Sequence, residues 1–400
     1  MRDLRVGALA PVLLLLAVGL GCGSGSSNTI TPPPEPYFLY VVDISGAPTN
    51  PSSNLGSFKI DPANGKLSLT STIPLSQVAP GLAVDAPAKT LYVSVPTLAG
   101  NFISLFSIDA QTGVPTSNGL YNLTALCAFC PPQSGPGQLA LNPTGKFLYY
   151  GSSTLGASVT EAVGALDVDG STGALSQVSG SPFLTSNAAL FVAVHPSGNF
   201  LYTEDIDKTG ANFIVMQSLS AFSIDSTSGA LTPVPGSPFI PPLTAHTGGF
   251  AIDPEGKFLY ASTGLAGNGI LGWSIDTATG AITPLPGSPF QAGTETFGAA
   301  FDASGKFFYV SPGSAGGLLG FSVDPVSGDL IPLAGSPFAS TSFLLGPTID
   351  PDGKFLFTAD PNNNAIVGFK LNSSTGALTP LGNSTSIGGH PGVMTIIKAP

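Results

Sequence analysis

Short runs of apolar residues, separated by turn residues, recur along most of the chain. Residues 248–290 show one full unit, "GGFAIDPEGKFLYASTGLAGNGILGWSIDTATGAITPLPGSPF". The unit holds four apolar runs that are rich in β-branched and aromatic residues and bounded by Gly, Pro, Asp or Thr, which predicts four β-strands joined by turns. Helical spacing of apolar residues is not sustained after the N-terminal segment. The pattern therefore predicts an all-β protein.

The third run and the turn after it recur seven times, in phrases such as "FSIDSTSGAL" and "WSIDTATGAI". An Asp or Asn starts each turn, and successive ones are 48, 60, 56, 51, 48 and 48 residues apart. We expect each of these side chains to accept a hydrogen bond from the backbone two residues on, while the following Gly takes a positive φ. A calcium site at each turn would need several converging carboxylates, so we predict no metal there. The seven anchoring residues are Asp61, Asp109, Asp169, Asp225, Asp276, Asp324 and Asn372.

Seven four-stranded units of this length predict a seven-bladed β-propeller of antiparallel blades. The first unit begins in its second strand, at residue 37, and "PGVMTII" near the C-terminus resembles the missing first strand. We therefore expect Val393–Ile397 to lie beside Phe38–Val42 and to close the ring, giving one domain over residues 37–400. "GSPF" ends four units, and its phenylalanines are predicted to wedge between adjacent blades: Phe183, Phe239, Phe290 and Phe338.

The composition excludes several kinds of partner. Only 9% of residues are charged and the formal net charge is −11. The only two arginines are Arg2 and Arg5. Because phosphate recognition relies on Arg forks or basic clusters, binding of nucleic acid or of an anionic membrane face is not expected.

The N-terminus reads as an export signal over residues 1–21, with Arg2 and Arg5 before the apolar stretch Val6–Leu20. "GLGC" resembles a lipoprotein cleavage site and predicts lipidation of Cys22, although an ordinary cleaved signal is the alternative. Residues 22–36 then form a Gly/Ser- and Pro-rich tether. We expect a protein outside the cytoplasm, held in the cell envelope at the outer membrane or cell surface, or facing the periplasm, with the lipid as its only membrane contact.

Two further cysteines, Cys127 and Cys130, lie in "CAFCPP". An even number of remaining cysteines in an oxidising compartment predicts a local disulfide. A haem-attachment site would need His where Pro131 stands, and a zinc site would need a second ligand pair. No cofactor is predicted.

The strand order predicts that short turns share one face and that the longer, variable loops share the other, where binding sites usually lie. These longer loops are expected at residues 43–54, 96–101, 118–135 and 204–218. The loop-rich face and the channel mouth on it are the predicted site. The catalytic candidates there are His246, Glu204 and Glu295, because a neutral imidazole near carboxylates can act as a general base on water.

Asp205, Asp360 and His390 are predicted to bind ligand on the same face. The alternative for all six residues is that they are ordinary solvated loop residues. His195 stands where other units have Asp or Asn, so we expect it to have a structural role.

The phrases "DPEGKFLY", "SIDTATGAI" and "GSPF" together resemble the seven-bladed propeller lactonases, such as 6-phosphogluconolactonase, and the related YVTN-type propellers. The resemblance spans about residues 37–400 and implies hydrolysis of a lactone ring with Arg, His and acidic side chains at the channel mouth. Where enzymatic members have an Arg-His pair, this chain has Gly137 and Gln138. Because the chain departs from the family here and has no arginine after Arg5, we expect an uncharged or weakly charged lactone rather than a phosphorylated one.

Two functions follow as hypotheses. The first is a lactone hydrolase that uses His246, oriented by Glu204 or Glu295. The alternative is a non-enzymatic surface propeller that binds a glycan, a peptide or a protein through its loop face. In either case we expect a monomer.

Overall fold

The computed structural model describes residues 35–47, 50–75, 79–85, 87, 89–97, 100–123, 136–152, 161–207, 215–242, 245–264, 269–293, 295–313, 316–338, 342–382 and 384–399. The predicted signal, Cys22, most of the tether and the Cys127–Cys130 pair lie outside these residues. No helix within them is long and apolar enough to cross a membrane.

The described residues form seven antiparallel blades, whose strands follow one another from the inside of the ring outwards. Blades one and two contain β1 (Tyr37–Ala47), β2 (Asn50–Ile60), β3 (Leu67–Leu75), β4 (Leu82–Asp85), β5 (Thr90–Thr97), β6 (Gly100–Ile108) and β7 (Pro115–Asn122). Blades three and four contain β8 (Pro136–Leu141), β9 (Phe147–Ser152), β10 (Ala162–Val168), β11 (Leu175–Gln177), β12 (Phe183–Leu184), β13 (Ala188–Val194), β14 (Phe200–Asp207), β15 (Val215–Ile224) and β16 (Leu231–Pro233).

The remaining blades follow the same plan. Blades five and six contain β17 (Ala245–Ile252), β18 (Phe258–Thr263), β19 (Ile270–Ile275), β20 (Ile282–Pro284), β21 (Phe297–Phe301), β22 (Phe307–Ser311), β23 (Leu319–Val323) and β24 (Leu330–Pro332). Blade seven contains β25 (Leu345–Ile349), β26 (Phe355–Asp360), β27 (Ala365–Leu371), β28 (Leu378–Pro380) and β29 (Thr385–Ser386), with a 3-10 turn at Pro361–Asn363. The last strand, β30 (His390–Lys398), belongs to blade one.

The C-terminal strand closes the ring as the sequence predicts. β30 is the innermost strand of blade one and pairs antiparallel with β1, so that Val41 lies opposite Met394 and Phe38 opposite Ile397. The innermost strands β30, β4, β8, β13, β17, β21 and β25 each lie against the next, and β25 returns to β30. The all-β, seven-bladed fold is therefore confirmed.

The seven repeated turns have the predicted geometry. In each of them the side-chain oxygen of the Asp or Asn accepts a hydrogen bond from the backbone N–H two residues on, at 2.8 to 3.1 Å. The Gly that ends each turn has a φ between +69° and +76°, which residues with a side chain adopt only at a cost. The recurring Asp and Gly therefore make turns.

A hydrogen bond from a tyrosine hydroxyl, called the tyrosine latch below, links neighbouring blades at six joints. In six blades the tyrosine of the second strand donates to the carbonyl of the turn glycine in the next blade, at 2.6 to 3.1 Å. The pairs are Tyr40–Gly113, Tyr92–Gly173, Tyr149–Gly229, Tyr202–Gly280, Tyr260–Gly328 and Tyr309–Gly376. Each hydroxyl is buried and each bond crosses one joint, so the latch sets the spacing between blades.

The "GSPF" phenylalanines fill the joints between blades, as the sequence predicts. Phe290 follows blade five, and it packs in one buried cluster with Tyr260 of that blade and Phe308 of blade six. Phe338 does the same between blades six and seven. Phe183 and Phe239 pack against the clusters at the two preceding joints. These rings are wedges that complete the core of each joint.

One expectation about loops needs correction. Residues 43–54, 96–101 and 204–218 were expected to be long loops on the variable face. Instead β1 and β2 pair as far as Ala47 and Asn50, and β5 and β6 as far as Thr97 and Gly100. β14 and β15 pair as far as Asp207 and Val215. The extra residues lengthen three hairpins because cross-strand pairing satisfies backbone groups that a loop would leave to water.

Candidate functional site

The innermost strands enter the ring from the loop-rich face and are bulged at that end. β8, β13, β17, β21, β25 and β30 each show a shift of register near their first residues. Gly249, Gly298 and Gly346 carry the positive φ of these bulges, at +90°, +64° and +54°. Because a bulge redirects the side chains beside it, these six shifts shape the rim of the channel mouth.

Glu204 and Asp205 lie next to each other on β14 and point into different joints. Tyr202 packs with residues of blade five and Leu201 with residues of blade three. Side chains alternate along a strand, so Glu204 faces blade five and Asp205 faces blade three. Both residues are fully buried, at 0% exposure. They are not parts of one carboxylate pair.

Asp205 is held by four hydroxyl groups. Ser186 and Ser218 donate to Oδ2 at 3.2 and 3.1 Å, and Ser220 donates to the same oxygen. Thr203 donates to Oδ1 at 2.6 Å. Burial raises the pKa of this carboxyl to about 6, against the opposing effect of its hydroxyl donors. The arrangement ties the loop-face ends of β14 and β15 to the segment that leaves blade three.

Asp43, which sequence reasoning missed, and Asp360 occupy the same place in their blades as Asp205. Each of the three lies three residues after the aromatic residue of the second strand. Asp43 accepts from the Asn54 backbone and side chain at 3.1 and 2.9 Å, and Asp360 accepts from those of Asn363 at 3.1 and 2.8 Å. Both are 3% exposed. The shared spacing was the signal available in the sequence, and these carboxylates brace the blade ends.

His246 and Glu295 lie at the starts of neighbouring innermost strands. The backbone of His246 pairs with Val215, which links blades four and five. Val215 in turn pairs with Asp207 of β14, three residues beyond Glu204, and β14 also contacts β17, the strand of His246. Glu295 is half-buried and lies against Gly313, where an added Cβ would come within 2.8 Å of its Oε2. The side chain of His246 lies outside the part of the chain that the structure describes, so its contact with Glu204 stays a prediction.

His390 is exposed at the start of β30, on the loop-rich face. Its Nδ1 lies 2.7 Å from the carbonyl oxygen of Pro361. A carbonyl only accepts, so Nδ1 carries the proton and the neutral ring has its lone pair on Nε2. The turn that presents this carbonyl is capped by Asp360. The structure thus brings His390 and Asp360 together through Pro361, with the imidazole fixed in the tautomer of a general base.

Two other positions have structural contacts. His195 is 3% exposed, accepts at Nδ1 from the Ser197 backbone at 3.1 Å, and donates from Nε2 to the Gly256 carbonyl of the next blade at 2.9 Å. Gln138 accepts from the Val192 backbone at 3.3 Å and so joins the innermost strands of blades three and four. Among the described residues, no group of three or more His, Cys, Asp or Glu side chains is placed to hold a metal ion.

The C-terminal part of the sequence resembles a known protein family. Residues 288–395, from the end of blade five to the closing strand, match the family described as lactonase, 7-bladed beta-propeller. The chain therefore resembles the propeller lactonases in sequence over that part and in architecture over the whole ring. None of the curated proteins matches it in sequence.

Solved structures show the same fold. The periplasmic gluconolactonase of Pseudomonas aeruginosa superposes with a TM-score of 0.71 at 17% identity, over 91% of this chain and 100% of that one. A candidate 6-phosphogluconolactonase of Bacteroides fragilis gives a TM-score of 0.71 at 17% identity, over 91% and 98%. A protein from Lactobacillus plantarum gives 0.70 at 16%, over 91% and 99%. At these identities the likeness is one of fold.

Proposed function

We propose that this protein hydrolyses a lactone of an uncharged or weakly charged sugar acid at the loop-rich mouth of its channel. The observation that carries the proposal is His390, an exposed imidazole whose Nδ1 is engaged by the Pro361 carbonyl. Nε2 is then the proton acceptor, which is what activation of water requires. The fold likeness to gluconolactonases supports the choice of ester.

The proposed reaction uses His390 twice. Nε2 takes a proton from water as the water oxygen bonds to the lactone carbonyl carbon. The ring C–O bond then breaks, and the departing oxygen takes the proton back from the imidazolium, leaving a hydroxy acid. His246 and Glu295, at neighbouring points of the rim, remain candidates for contacts with the substrate. Glu204 and Asp205 are fully buried, so they would act by supporting the rim.

The charge balance restricts the substrate. The net charge is −11, and the only arginines precede the predicted cleavage site at Cys22. An additional phosphate would meet few cations and no guanidinium. We therefore expect gluconolactone to be preferred over its 6-phosphate.

The test measures the rate at which both lactones are hydrolysed. The rate is obtained from the protons that hydrolysis releases and is corrected for spontaneous hydrolysis. Wild type is compared with His390→Ala, His246→Ala and, as a matched control on the opposite face, Lys257→Ala, whose ammonium is exposed in an ion pair with Glu255. Loss of a general base lowers the rate by about 10²–10⁴-fold. Added imidazole should restore part of the rate in His390→Ala only. An unaffected His390→Ala enzyme would remove His390 from the mechanism.

A second candidate function is binding of a glycan, peptide or protein without catalysis. The three lengthened hairpins, β1–β2, β5–β6 and β14–β15, favour it because they add ordered surface on the loop-rich side. Absence of turnover on any lactone, with His246→Ala and His390→Ala indistinguishable from wild type, would favour this function over the first.

The proposal includes anchoring of the chain in the cell envelope through Cys22 and the tether that follows it. Fractionation of cells that express the full chain tests this, because Cys22→Ala should move the protein from the membrane fraction to the soluble extracytoplasmic one. Metabolic labelling with a radioactive fatty acid should mark wild type alone. Labelling of both proteins, or of neither, would contradict lipidation at Cys22.

A further inference from the structure

The joint between blade seven and blade one differs from the other six. Where the second strands of the other blades have tyrosine, β26 has Phe357, which is 1% exposed and has no hydroxyl to donate. The matching turn glycine of blade one is Gly65, with the same positive φ of +73° as the other turn glycines. The tyrosine latch that spans every other joint is therefore missing here.

The phenylalanine wedge is missing from the same joint. After its short outer strand, blade five has "PGSPF", and Phe290 lies opposite Ile270 of the third strand. Blade seven has "GNSTS" at that point, and Thr385 lies opposite Ile366. The "GSPF" phrase is also missing from the sequence of blades one and two, but their outer strands, β3 and β7, are nine and eight residues long and pair along the third strand. The outer strand of blade seven, β28, has three residues.

A cavity of about 390 Å³ occupies the unfilled space. Phe357, Ile366, Gly368 and Leu381 line it, and Asn64 and Lys66 of blade one contribute polar groups. Comparison of equivalent glycines shows what is absent. The atom nearest to a Cβ on Gly272 or Gly320 would belong to the ring of Phe290 or Phe338, whereas the nearest atoms to one on Gly368 belong to Leu381 and Phe357. The cavity is therefore the place of a missing aromatic ring.

We propose that this cavity, at the seam between blade seven and blade one, binds a small monocyclic phenol. The ring takes the position that Phe290 and Phe338 occupy in their own joints, against Gly368 and Leu381. The hydroxyl group supplies the donor that Phe357 lacks, because Gly65, whose carbonyl corresponds to the acceptor of the six tyrosine latches, also lines the cavity. An apolar protein cavity of about 150 Å³ already takes up benzene, so this larger cavity has room for one aromatic ring.

The chain's own joints define the chemistry that fits. Each of four joints is completed by an aromatic ring of the preceding blade, and six by a phenolic hydroxyl. A phenol combines both groups in one molecule. The ligand would join the first and last blades, so its binding would stabilise the closure of the ring. This site is separate from the loop-rich mouth and independent of any lactonase activity.

The test is thermal unfolding with p-cresol as the probe and toluene as the probe that lacks the hydroxyl. Wild type should show a saturable rise in melting temperature of about 2 °C with p-cresol and a smaller one with toluene. Thr385→Phe, which supplies the wedge, should lose both responses. Phe290→Ala opens an equivalent cavity in another joint and should respond more strongly than wild type to toluene, because Tyr260 already provides the hydroxyl there.

Phe357→Tyr supplies a second readout that does not depend on how Thr385→Phe folds. With a hydroxyl already present at the seam, the preference for p-cresol over toluene should disappear while ring binding persists. Absence of a saturable response in wild type, or a full response to p-cresol in Thr385→Phe, would overturn the proposal. An unchanged preference for p-cresol in Phe357→Tyr would overturn the role given to the hydroxyl.

Discussion

Removal of one tyrosine latch should weaken the ring by a predictable amount. Tyr260 is fully buried, and its hydroxyl donates to the Gly328 carbonyl of the next blade at 2.6 Å. Tyr260→Phe keeps the ring and its contacts with Phe301 and Phe308, at centroid distances of 5.7 and 5.2 Å. The substitution therefore isolates the hydrogen bond.

The expected loss of stability follows from the buried Gly328 carbonyl, which is left without its donor. A net hydrogen bond contributes about 0.5–1.5 kcal/mol, and a buried acceptor left without its donor costs about 1–3 kcal/mol. We expect Tyr260→Phe to lower the free energy of unfolding by about 1–2 kcal/mol. Burial raises the pKa of Tyr260 well above its usual value, so the phenol remains a donor and the loss should be independent of pH through the neutral range.

The reverse substitution at the seam is the control. Phe357→Tyr offers a donor to Gly65 and should raise the free energy of unfolding by about 0.5–1.5 kcal/mol. Urea unfolding at equilibrium measures both changes. The only tryptophan, Trp273, is 1% exposed in blade five and reports by fluorescence, while circular dichroism follows all blades. Coincidence of the two transitions shows whether a single free energy is meaningful. A Tyr260→Phe protein as stable as wild type, or a strongly destabilised Phe357→Tyr protein, would refute the latch.

Three further predictions concern stability. Burial raises the pKa of Asp205 to about 6. Between about pH 4 and pH 6 the native state therefore holds a proton that the unfolded state has released. The free energy of unfolding should fall by up to roughly 3 kcal/mol as the pH rises through this range. Asp205→Asn should flatten that part of a pH series of melting curves, and an unchanged slope would contradict the assignment. Hydrogen bonds from the turn backbone lower the pKa of Asp276, so its contribution is present at neutral pH and lost in acid. Asp276→Asn should be tolerated, as Asn372 is in the seventh turn, whereas Asp276→Ala should melt at a lower temperature; equal melting of the two would argue against the side-chain bond. Phe290→Ala should cost about 3–5 kcal/mol in urea unfolding, and a loss below about 1 kcal/mol would mean that the ring is not a wedge.

Much of the fold could be predicted because the repeat is written in residues whose role is local. Asp276 and Gly280 define a turn from their own chemistry, and the phase of the repeat makes the C-terminal segment the missing strand of blade one. The hairpins were harder to predict. Residues 43–54 are rich in Gly, Ser, Pro and Asn, which are typical of loops, yet the two halves of this stretch pair with each other and extend the β1–β2 hairpin.

The candidate site was less predictable because a polar residue at the end of a strand can lie either at the channel mouth or buried between blades. Glu204 and Asp205 are adjacent in sequence and face different joints. Asp43 was missed because it looks like an ordinary turn residue until its spacing from Tyr40 is compared with that of Asp360 from Phe357. His390 was identified from the sequence, but the bond that fixes its tautomer depends on Pro361, which lies 29 residues earlier and in another blade.

The closure of the ring is the claim on which the loop face, the seam cavity and each candidate residue depend. The most direct test is the double variant Val41→Cys with Met394→Cys, because these two residues lie opposite each other on β1 and β30. The account predicts that mild oxidation forms an intramolecular disulfide in nearly all of the folded protein. It predicts none for Val41→Cys with Val326→Cys, because Val326 is exposed in the turn of blade six. Failure of the first pair to cross-link, or equal cross-linking of both, would contradict a ring closed by the C-terminal strand.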